Sequence, residues 1–139
     1  MKVIVTREIS EQDQHELLTG LRSYNSQFID LSIIKPLAVF YRDAQDVLQG
    51  GLIGRQEGEW FNIQFLWVHE ARRGSGLGSD IMQRAATEAK AIGCKHALVD
   101  TASFQALPFY QKLGFQLQMT LPDHPLPGMQ RYFLTKSPL

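Results

Sequence analysis

The residues with the clearest chemical potential form a glycine-rich turn, Arg72-Arg73-Gly74-Ser75-Gly76-Leu77-Gly78. The turn follows an apolar run that ends at Trp67-Val68, and a helical pattern starts at Leu77. Glycines remove side chains where a ligand approaches the backbone. The first amides of a helix lack partners within the helix and, together with the helix dipole, suit phosphate groups. The turn therefore predicts a phosphate-binding site with two arginines beside it.

Two common phosphate-binding motifs fit this turn poorly. A Walker loop ends in Gly-Lys-Ser/Thr, and the turn contains no lysine. A dinucleotide-binding fingerprint needs a third glycine or alanine where this chain has Ser79, and it belongs in the first strand–helix unit of a domain rather than in mid-chain. A nucleotide-binding protein is therefore disfavoured. A glycine-rich loop without a ligand remains the alternative.

A second segment, Ser103 to Phe115, contains a tyrosine in a short helical pattern. Taken alone, Tyr110 fits a packed amphipathic side chain that finds one hydrogen-bond partner. A phenol with an ordinary pKa of ~10 is also protonated at neutral pH, so it can donate a proton to a leaving group. Considered by itself, Tyr110 is better explained as a packed tyrosine than as a catalytic residue.

Together the two segments resemble the GNAT superfamily of N-acetyltransferases. The family's pyrophosphate motif, Arg/Gln-x-x-Gly-x-Gly/Ala, matches Arg73 to Gly78 in the same strand–turn–helix context. The segment after its fifth strand commonly reads Asn-x-x-Ala-x-x-hydrophobic-Tyr-x-Lys-x-Gly-Phe, and Ser103 replaces the usual Asn here. The matching residues are Ala106, Phe109, Tyr110, Lys112, Gly114 and Phe115. The resemblance spans nearly the whole chain and is most specific between Phe65 and Phe115.

The resemblance implies direct acetyl transfer from acetyl-CoA to an amine, with no metal. Acetyl-CoA is expected in a V-shaped gap between two parallel strands, here Trp60–Val68 and His96–Asp100. A free backbone amide near Val68 is expected to stabilise the oxyanion, and Tyr110 is the expected catalytic proton donor to the CoA thiolate. The expected cofactor-binding residues are Trp67, Val68, Arg73, Gly74, Ser75, Gly76, Leu77, Gly78, Ser79, Ser103 and Phe109.

The sequence assigns no general base. Many family members carry a glutamate on the long strand, where this chain has Asn62 and Gln64. Glu59, His69 and Glu70 lie nearby in the sequence, but each also fits an exposed loop residue. Deprotonation of the acceptor through ordered water stays open.

The acceptor is expected to be a primary amine on a small molecule. Four aromatic residues are candidates for its site: Tyr24, Phe28, Trp60 and Trp67. A fifth candidate is His124, which lies in the late loop, residues 121–128. His124 is a candidate because functional residues collect on loops, and this loop fits a lid. Two alternatives remain: acetylation of a protein N-terminus or lysine, and a non-catalytic acetyl-CoA-binding sensor or interaction module on the same fold.

The elements that must position these residues follow the order β-α-β-β-β-α-β-α-β-β. Because helices interleave with strands, the order predicts a mixed α/β (α+β) chain. The resemblance adds a central, mostly antiparallel twisted sheet of about seven strands, with helices on both faces and one splayed parallel pair. The predicted strands are Lys2–Ile9, Leu37–Tyr41, Val47–Gly54, Trp60–Val68, His96–Asp100, Phe115–Leu121 and Met129–Thr135. The predicted helices lie near residues 11–24, 77–92 and 106–113.

Bulk properties agree with one domain over residues 1–139. Lys plus Arg and Asp plus Glu both number 14, so net charge gives no case for a nucleic-acid or membrane partner. No apolar run approaches the ~20 residues that span a bilayer, and the first ten residues do not fit a signal peptide. The single cysteine, Cys94, is expected to be a small core residue in a reducing cytoplasm. The resemblance also makes a homodimer a reasonable expectation.

Overall fold

The computed structural model describes all residues, 1–139, and the chain divides into two compact units, Met1–Ile33 and Ile34–Leu139. The first unit contains helix α1, Glu11–Asn25, and a short 3₁₀ turn, Leu31–Ile33. Ser10 caps the start of α1, since its Oγ accepts a hydrogen bond from the Asp13 amide at 3.0 Å.

The opening strand predicted at Lys2–Ile9 is wrong, because these residues form no strand. Their alternating β-branched pattern raises β propensity, but propensity alone does not supply the neighbouring strand that a ladder needs. The only hydrogen bonds made within this stretch are local, between Thr6 Oγ1 and the backbone of Glu8.

The second unit contains a six-stranded sheet in the order β1-β2-β3-β4-β6-β5. All neighbouring strands pair antiparallel except β3 and β4, which are parallel. The mixed sheet is therefore confirmed, with six strands rather than about seven because the opening strand is missing. The strands are β1 Ile34–Arg42, β2 Leu48–Glu57, β3 Trp60–Val68, β4 His96–Ala102, β5 Gln116–Pro122 and β6 Gln130–Lys136.

Helix α2, Leu77–Ala91, follows β3, and the short helix α3, Leu107–Lys112, follows β4. One face of α2 is apolar and forms part of the core through Ile81, Met82, Ala85 and Ala89, which are all buried. Gly93 follows the helix at φ +103°, as expected for a residue that ends a helix in the left-handed region. None of the helices is long and apolar enough to cross a membrane.

Strand β2 approaches its neighbours closely at a glycine. A Cβ added to Gly54 would lie 2.6 Å from the ring of Phe61 and 2.8 Å from the backbone oxygen of Asn62. Phe61 is 1% exposed, so its ring has little room to move. The register between β2 and β3 also shifts at this point, between Ile53 and Gly54. Gly54 thus lets β2 lie tight against the part of β3 that borders the parallel pair.

Candidate active site

The parallel strands β3 and β4 separate partway along their length. They are in register only at Trp60–His96, Phe61–Ala97 and Asn62–Leu98. Both strands then continue, β3 to Val68 and β4 to Ala102, while β4 stays paired with β6. From Ile63 onward, the edge of β3 that faces β4 therefore has no strand partner. The splayed parallel pair expected from the sequence is confirmed.

The glycine-rich turn lies between the end of β3 and the start of α2. Gly76 is the N-cap of α2 at φ +87°, and Gly74 lies at φ +77°, so both adopt a conformation that favours glycine. No heavy atom lies within 4 Å of a Cβ placed at either residue. The start of α2 is therefore open at these two glycines, and the first amides of a helix have no partners within the helix.

The two arginines fix the turn to the sheet. Arg73 Nε donates to the Val68 carbonyl oxygen at 3.2 Å, and Arg72 Nε donates to Gln49 Oε1 at 3.1 Å. The terminal guanidinium nitrogens of Arg73 make no hydrogen bond within the chain. The turn therefore combines free helix amides with a positive charge, which is the combination that favours an anion.

A cleft of about 980 Å³ starts at this turn and continues between the separated strands. It is lined by residues of β3, the turn, the ends of β4 and α3, and β6. Ten of the residues predicted from the sequence line it together: Trp67, Val68, Arg73, Gly74, Gly76, Leu77, Gly78, Ser79, Phe109 and Tyr110. Residues separated by more than forty positions in the sequence thus share one cavity.

Two of the predicted cofactor-binding residues do not line the cleft. The hydroxyl of Ser75 donates to the Arg72 carbonyl and so belongs to the structure of the turn. Ser103 Oγ accepts from the Gln130 amide at 3.1 Å, and the Ser103 amide donates to the Gln130 carbonyl at 2.7 Å. Ser103 therefore joins the end of β4 to the start of β6.

Tyr110 is buried, with 7% of its surface exposed, and its ring makes edge contacts with Phe109 and Phe115 at centroid distances of 5.1 and 5.9 Å. Its hydroxyl makes no hydrogen bond within the chain. Burial, assisted by the negative charge of Asp100, raises the pKa of Tyr110 to about 12. The side chain lines the cleft as a neutral phenol with a free donor.

The residues considered as bases do not gather in this cleft. Glu59 forms an ion pair with Lys95 at 3.2 Å, and His69 Nδ1 accepts from the Ala71 amide at 3.0 Å. Neither residue lines the cavity, nor does Glu70. Of the two amide residues on β3, Gln64 lines it and Asn62 does not.

Three charged or polar side chains meet at the end of the cleft formed by β4 and β6. Arg131 Nη1 donates to Asp100 Oδ2, and Arg131 Nε donates to His124 Nδ1 at 3.2 Å. Asp100 and Arg131 line the cavity, and His124 lies on the loop between β5 and β6. Of these three residues, only His124 was predicted from the sequence as a candidate site residue. The sequence feature that could have indicated Asp100 is its position as a carboxylate at the end of a short buried strand.

The other aromatic candidates have different contacts. Trp60 stacks on His96 with ring centroids 4.8 Å apart and does not line the cleft, whereas Trp67 does. Tyr24 and Phe28 contact each other at 5.2 Å in the first unit. Cys94 is buried at 3% exposure, and burial raises the pKa of its thiol, which fits the predicted core residue. A cytoplasmic location stays a prediction.

Comparison with known proteins agrees with this arrangement. Residues 35–117 match the model of the acetyltransferase (GNAT) domain family. The chain is 39% identical over 106 residues to blasticidin-S acetyltransferase of Streptomyces morookaense, covering 73% of this chain and 77% of that protein. It is 34% identical over 115 residues to an acetyltransferase of Agrobacterium fabrum, covering 83% and 84% of the two chains.

A solved structure shares nearly the whole fold. The crystal structure of a candidate acetyltransferase from Agrobacterium tumefaciens superposes with a TM-score of 0.91 at 28% identity, covering 99% of both chains. The splayed strands, the glycine turn and the family match together define an acetyltransferase. The chain belongs to the GNAT acetyltransferase family, and it is an enzyme of that class.

Proposed function

We propose that this enzyme transfers the acetyl group of acetyl-CoA to a primary amine of a small molecule by direct attack in a ternary complex. The observation that carries the proposal is one continuous cleft, which joins the glycine turn at the start of α2 to the free hydroxyl of Tyr110 between the separated strands. A site for a CoA thioester needs a region that binds the phosphate groups and a side chain that can donate a proton to the sulfur.

The turn is the part of the cleft that fits the pyrophosphate. Its helix amides are unobstructed at Gly74 and Gly76, and Arg73 adds positive charge. The unpaired edge of β3, from Ile63 to Val68, runs from there along the cleft. A backbone amide on this edge near Val68 is the proposed donor to the thioester carbonyl. A donor aimed at a developing oxyanion contributes about 3 kcal/mol to lowering the barrier.

Tyr110 is the proposed proton donor to the leaving group. A neutral amine attacks the thioester carbon and forms a C–N bond, and the tetrahedral intermediate then expels the CoA thiolate as the C–S bond breaks. Tyr110 gives its proton to the sulfur, the amine nitrogen loses one proton to water, and solvent reprotonates the phenolate. Since the acceptor is bound as an ammonium ion before its first deprotonation, the whole reaction yields an amide, CoA thiol and one free proton.

A small-molecule acceptor is supported by the relative from Streptomyces morookaense, whose name gives an antibiotic, blasticidin S, as the compound it acetylates. At 39% identity, that relationship supports the acceptor class and leaves the compound itself open. The cleft also admits solvent beside Asp100, whose side chain is 39% exposed, so an acceptor can enter from that end.

The test is acetyl-CoA-dependent thiol release across a panel of amines, polyamines, amino acids, aminoglycosides and short peptides. Release with a small amine, lost in Tyr110→Phe, is the expected result. Release only with peptides would move the assignment to a protein acetyltransferase. No release from a chain that binds acetyl-CoA to saturation would overturn the catalytic proposal in favour of a binding module.

A further inference from the structure

The charged side chains of the cleft are unevenly distributed. Cationic groups line it at Arg72, Arg73, Lys112 and Arg131, whereas Asp100 is the only aspartate or glutamate among the lining residues. Arg72 and Arg73 belong to the phosphate-binding turn. A positively charged acceptor therefore meets one carboxylate in this cleft, and that carboxylate lies on β4 rather than in the turn.

The position of Asp100 is set by the sheet. It lies two residues beyond Leu98, the last residue of β4 that pairs with β3, and directly opposite Phe133 on β6. Arg131 lies two residues from Phe133, so Asp100 and Arg131 share one face of the β4–β6 pair as diagonal neighbours. The paired strands β4 and β6 therefore fix the carboxylate close to the point where β3 and β4 separate.

One oxygen of the Asp100 carboxylate remains available. Arg131 Nη1 contacts Oδ2, whereas Oδ1 makes no hydrogen bond within the chain. Arg131 is in turn held through its Nε by His124 Nδ1 at 3.2 Å. A carboxylate has about four acceptor sites on its two oxygens, so the arginine leaves room for a second cation.

A nitrogen other than the attacking one is the better partner for Asp100. An opposite charge close to an amine favours its protonated form, and the protonated form cannot attack. A carboxylate that stayed paired with the reacting nitrogen without taking its proton would therefore oppose the reaction. An acceptor with two basic nitrogens avoids this conflict, because one nitrogen pairs with Asp100 while the other loses its proton and attacks.

We propose that Asp100 is a specificity-determining residue that pairs with a second cationic group of the acceptor. The enzyme then acts on small molecules with at least two basic nitrogens, an inference that rests on the proposed function. Arg131 and His124 position its carboxylate. Asp100 is close enough to Tyr110 for its charge to help raise the pKa of that phenol, in agreement with a binding point near the reacting centre.

The experiment compares matched amines on the full chain. The diamines from 1,3-diaminopropane to 1,6-diaminohexane are each paired with the alkylamine in which a methyl group replaces one ammonium group. We expect kcat/KM to favour the best diamine about tenfold over its monoamine, in line with a charged hydrogen bond. In Asp100→Asn this preference disappears, while the acetyl-CoA Kd changes less than about twofold, and Asp100→Glu restores part of the preference.

The matched control is Glu57→Gln, which removes one carboxylate from an exposed ion pair with Arg55 outside the cleft and should keep the preference. A second measurement avoids any folding defect of the variant: in the unmodified chain, the preference should fall as ionic strength rises, because salt screens the pair. A diamine preference that survives in Asp100→Asn, or no preference in the unmodified chain, overturns the inference and leaves the proposed function intact.

If none of these amines is acetylated, diamine binding tests the role of Asp100 independently of catalysis. Calorimetric titration of 1,4-diaminobutane into the CoA-saturated chain should show about tenfold weaker binding to Asp100→Asn. Equal binding to the two proteins, or binding to neither, overturns the role of Asp100. The thiol-release panel, in contrast, judges the proposed function.

Discussion

Asn62 and Leu98 are the last residues at which β3 and β4 lie in register. Beyond them, β4 remains in the sheet through β6, and β3 remains in it through β2. The space between the strands is the cleft that both the glycine turn and Asp100 line.

Gly76→Asp is expected to reduce the affinity for acetyl-CoA at least tenfold. The substitution places a negative charge at the start of α2, where the phosphate groups are proposed to bind, and it forces a non-glycine residue to φ +87° at a cost of about 1–2 kcal/mol. Isothermal titration calorimetry gives the affinity.

Gly93→Asp is the matched control, because Gly93 is also at positive φ with open space around its Cβ and lies at the other end of α2. It should lose comparable stability and keep its affinity. Equal affinities of the two variants would argue against pyrophosphate binding at the turn.

Tyr110→Phe should lower kcat by about a hundredfold and change the acetyl-CoA Kd little. Proton donation in the transition state contributes about 10²–10⁴ in rate, whereas the ring retains its contacts with Phe109 and Phe115. Steady-state kinetics with the best amine measures the effect. Tyr132→Phe, which removes a hydroxyl bonded to Gln130 on β6, is the control and should keep kcat. An unaltered rate in Tyr110→Phe would place the proton donor elsewhere.

The raised pKa of Tyr110 predicts a loss of stability in alkali. The folded state keeps the phenol protonated up to about pH 12, whereas the unfolded chain releases that proton near the ordinary value of 10.0. The folded state therefore binds more protons between these values, so the free energy of unfolding falls as pH rises from 10 to 12. The effect is on the order of 2 kcal/mol.

Urea unfolding at pH 9 and pH 11 measures this difference, and absorbance of the tyrosinate reports the titration directly. The decline should be smaller in Tyr110→Phe than in the unmodified chain. An identical decline in both proteins would mean that Tyr110 titrates normally in the folded state.

Gly54→Ala should destabilise the protein by about 1–3 kcal/mol, since the new methyl group would overlap the buried ring of Phe61 and the backbone of Asn62. Gly20→Ala provides the contrast. Gly20 lies inside α1 with nothing near its Cβ, so alanine there should stabilise by up to about 1 kcal/mol. Chemical denaturation of both variants checks the opposite signs. A neutral Gly54→Ala would show that β2 and β3 relax apart easily.

The turn at residues 72–78 and the segment around Tyr110 were predictable because their chemistry lies in short stretches of sequence. Strand β3 was predicted with the bounds that it has, Trp60–Val68, since aromatic and β-branched residues fill it. The strand predicted at Lys2–Ile9 is absent, because a strand depends on a partner that a local pattern does not reveal. Whether all 139 residues work as one catalytic domain stays a prediction.

The pair formed by Asp100 and Arg131 lies outside what local patterns can reveal. Thirty-one residues separate them, and they meet only through the register of β4 against β6. The same holds for the free hydroxyl of Tyr110: its residue type was visible in the sequence, but the absence of a hydrogen-bond partner became known only from the packing around it.

The half of β3 that borders the cleft pairs with a neighbouring strand, β2, on one side only. Its position therefore depends on the stiffness of β2, and the register shift at Gly54 lies where that support begins. The width of the opening consequently depends on a strand that contributes no residue to the lining of the cleft. Variation in β2 offers a route by which this scaffold can accept larger acyl groups while the turn and Tyr110 remain unchanged.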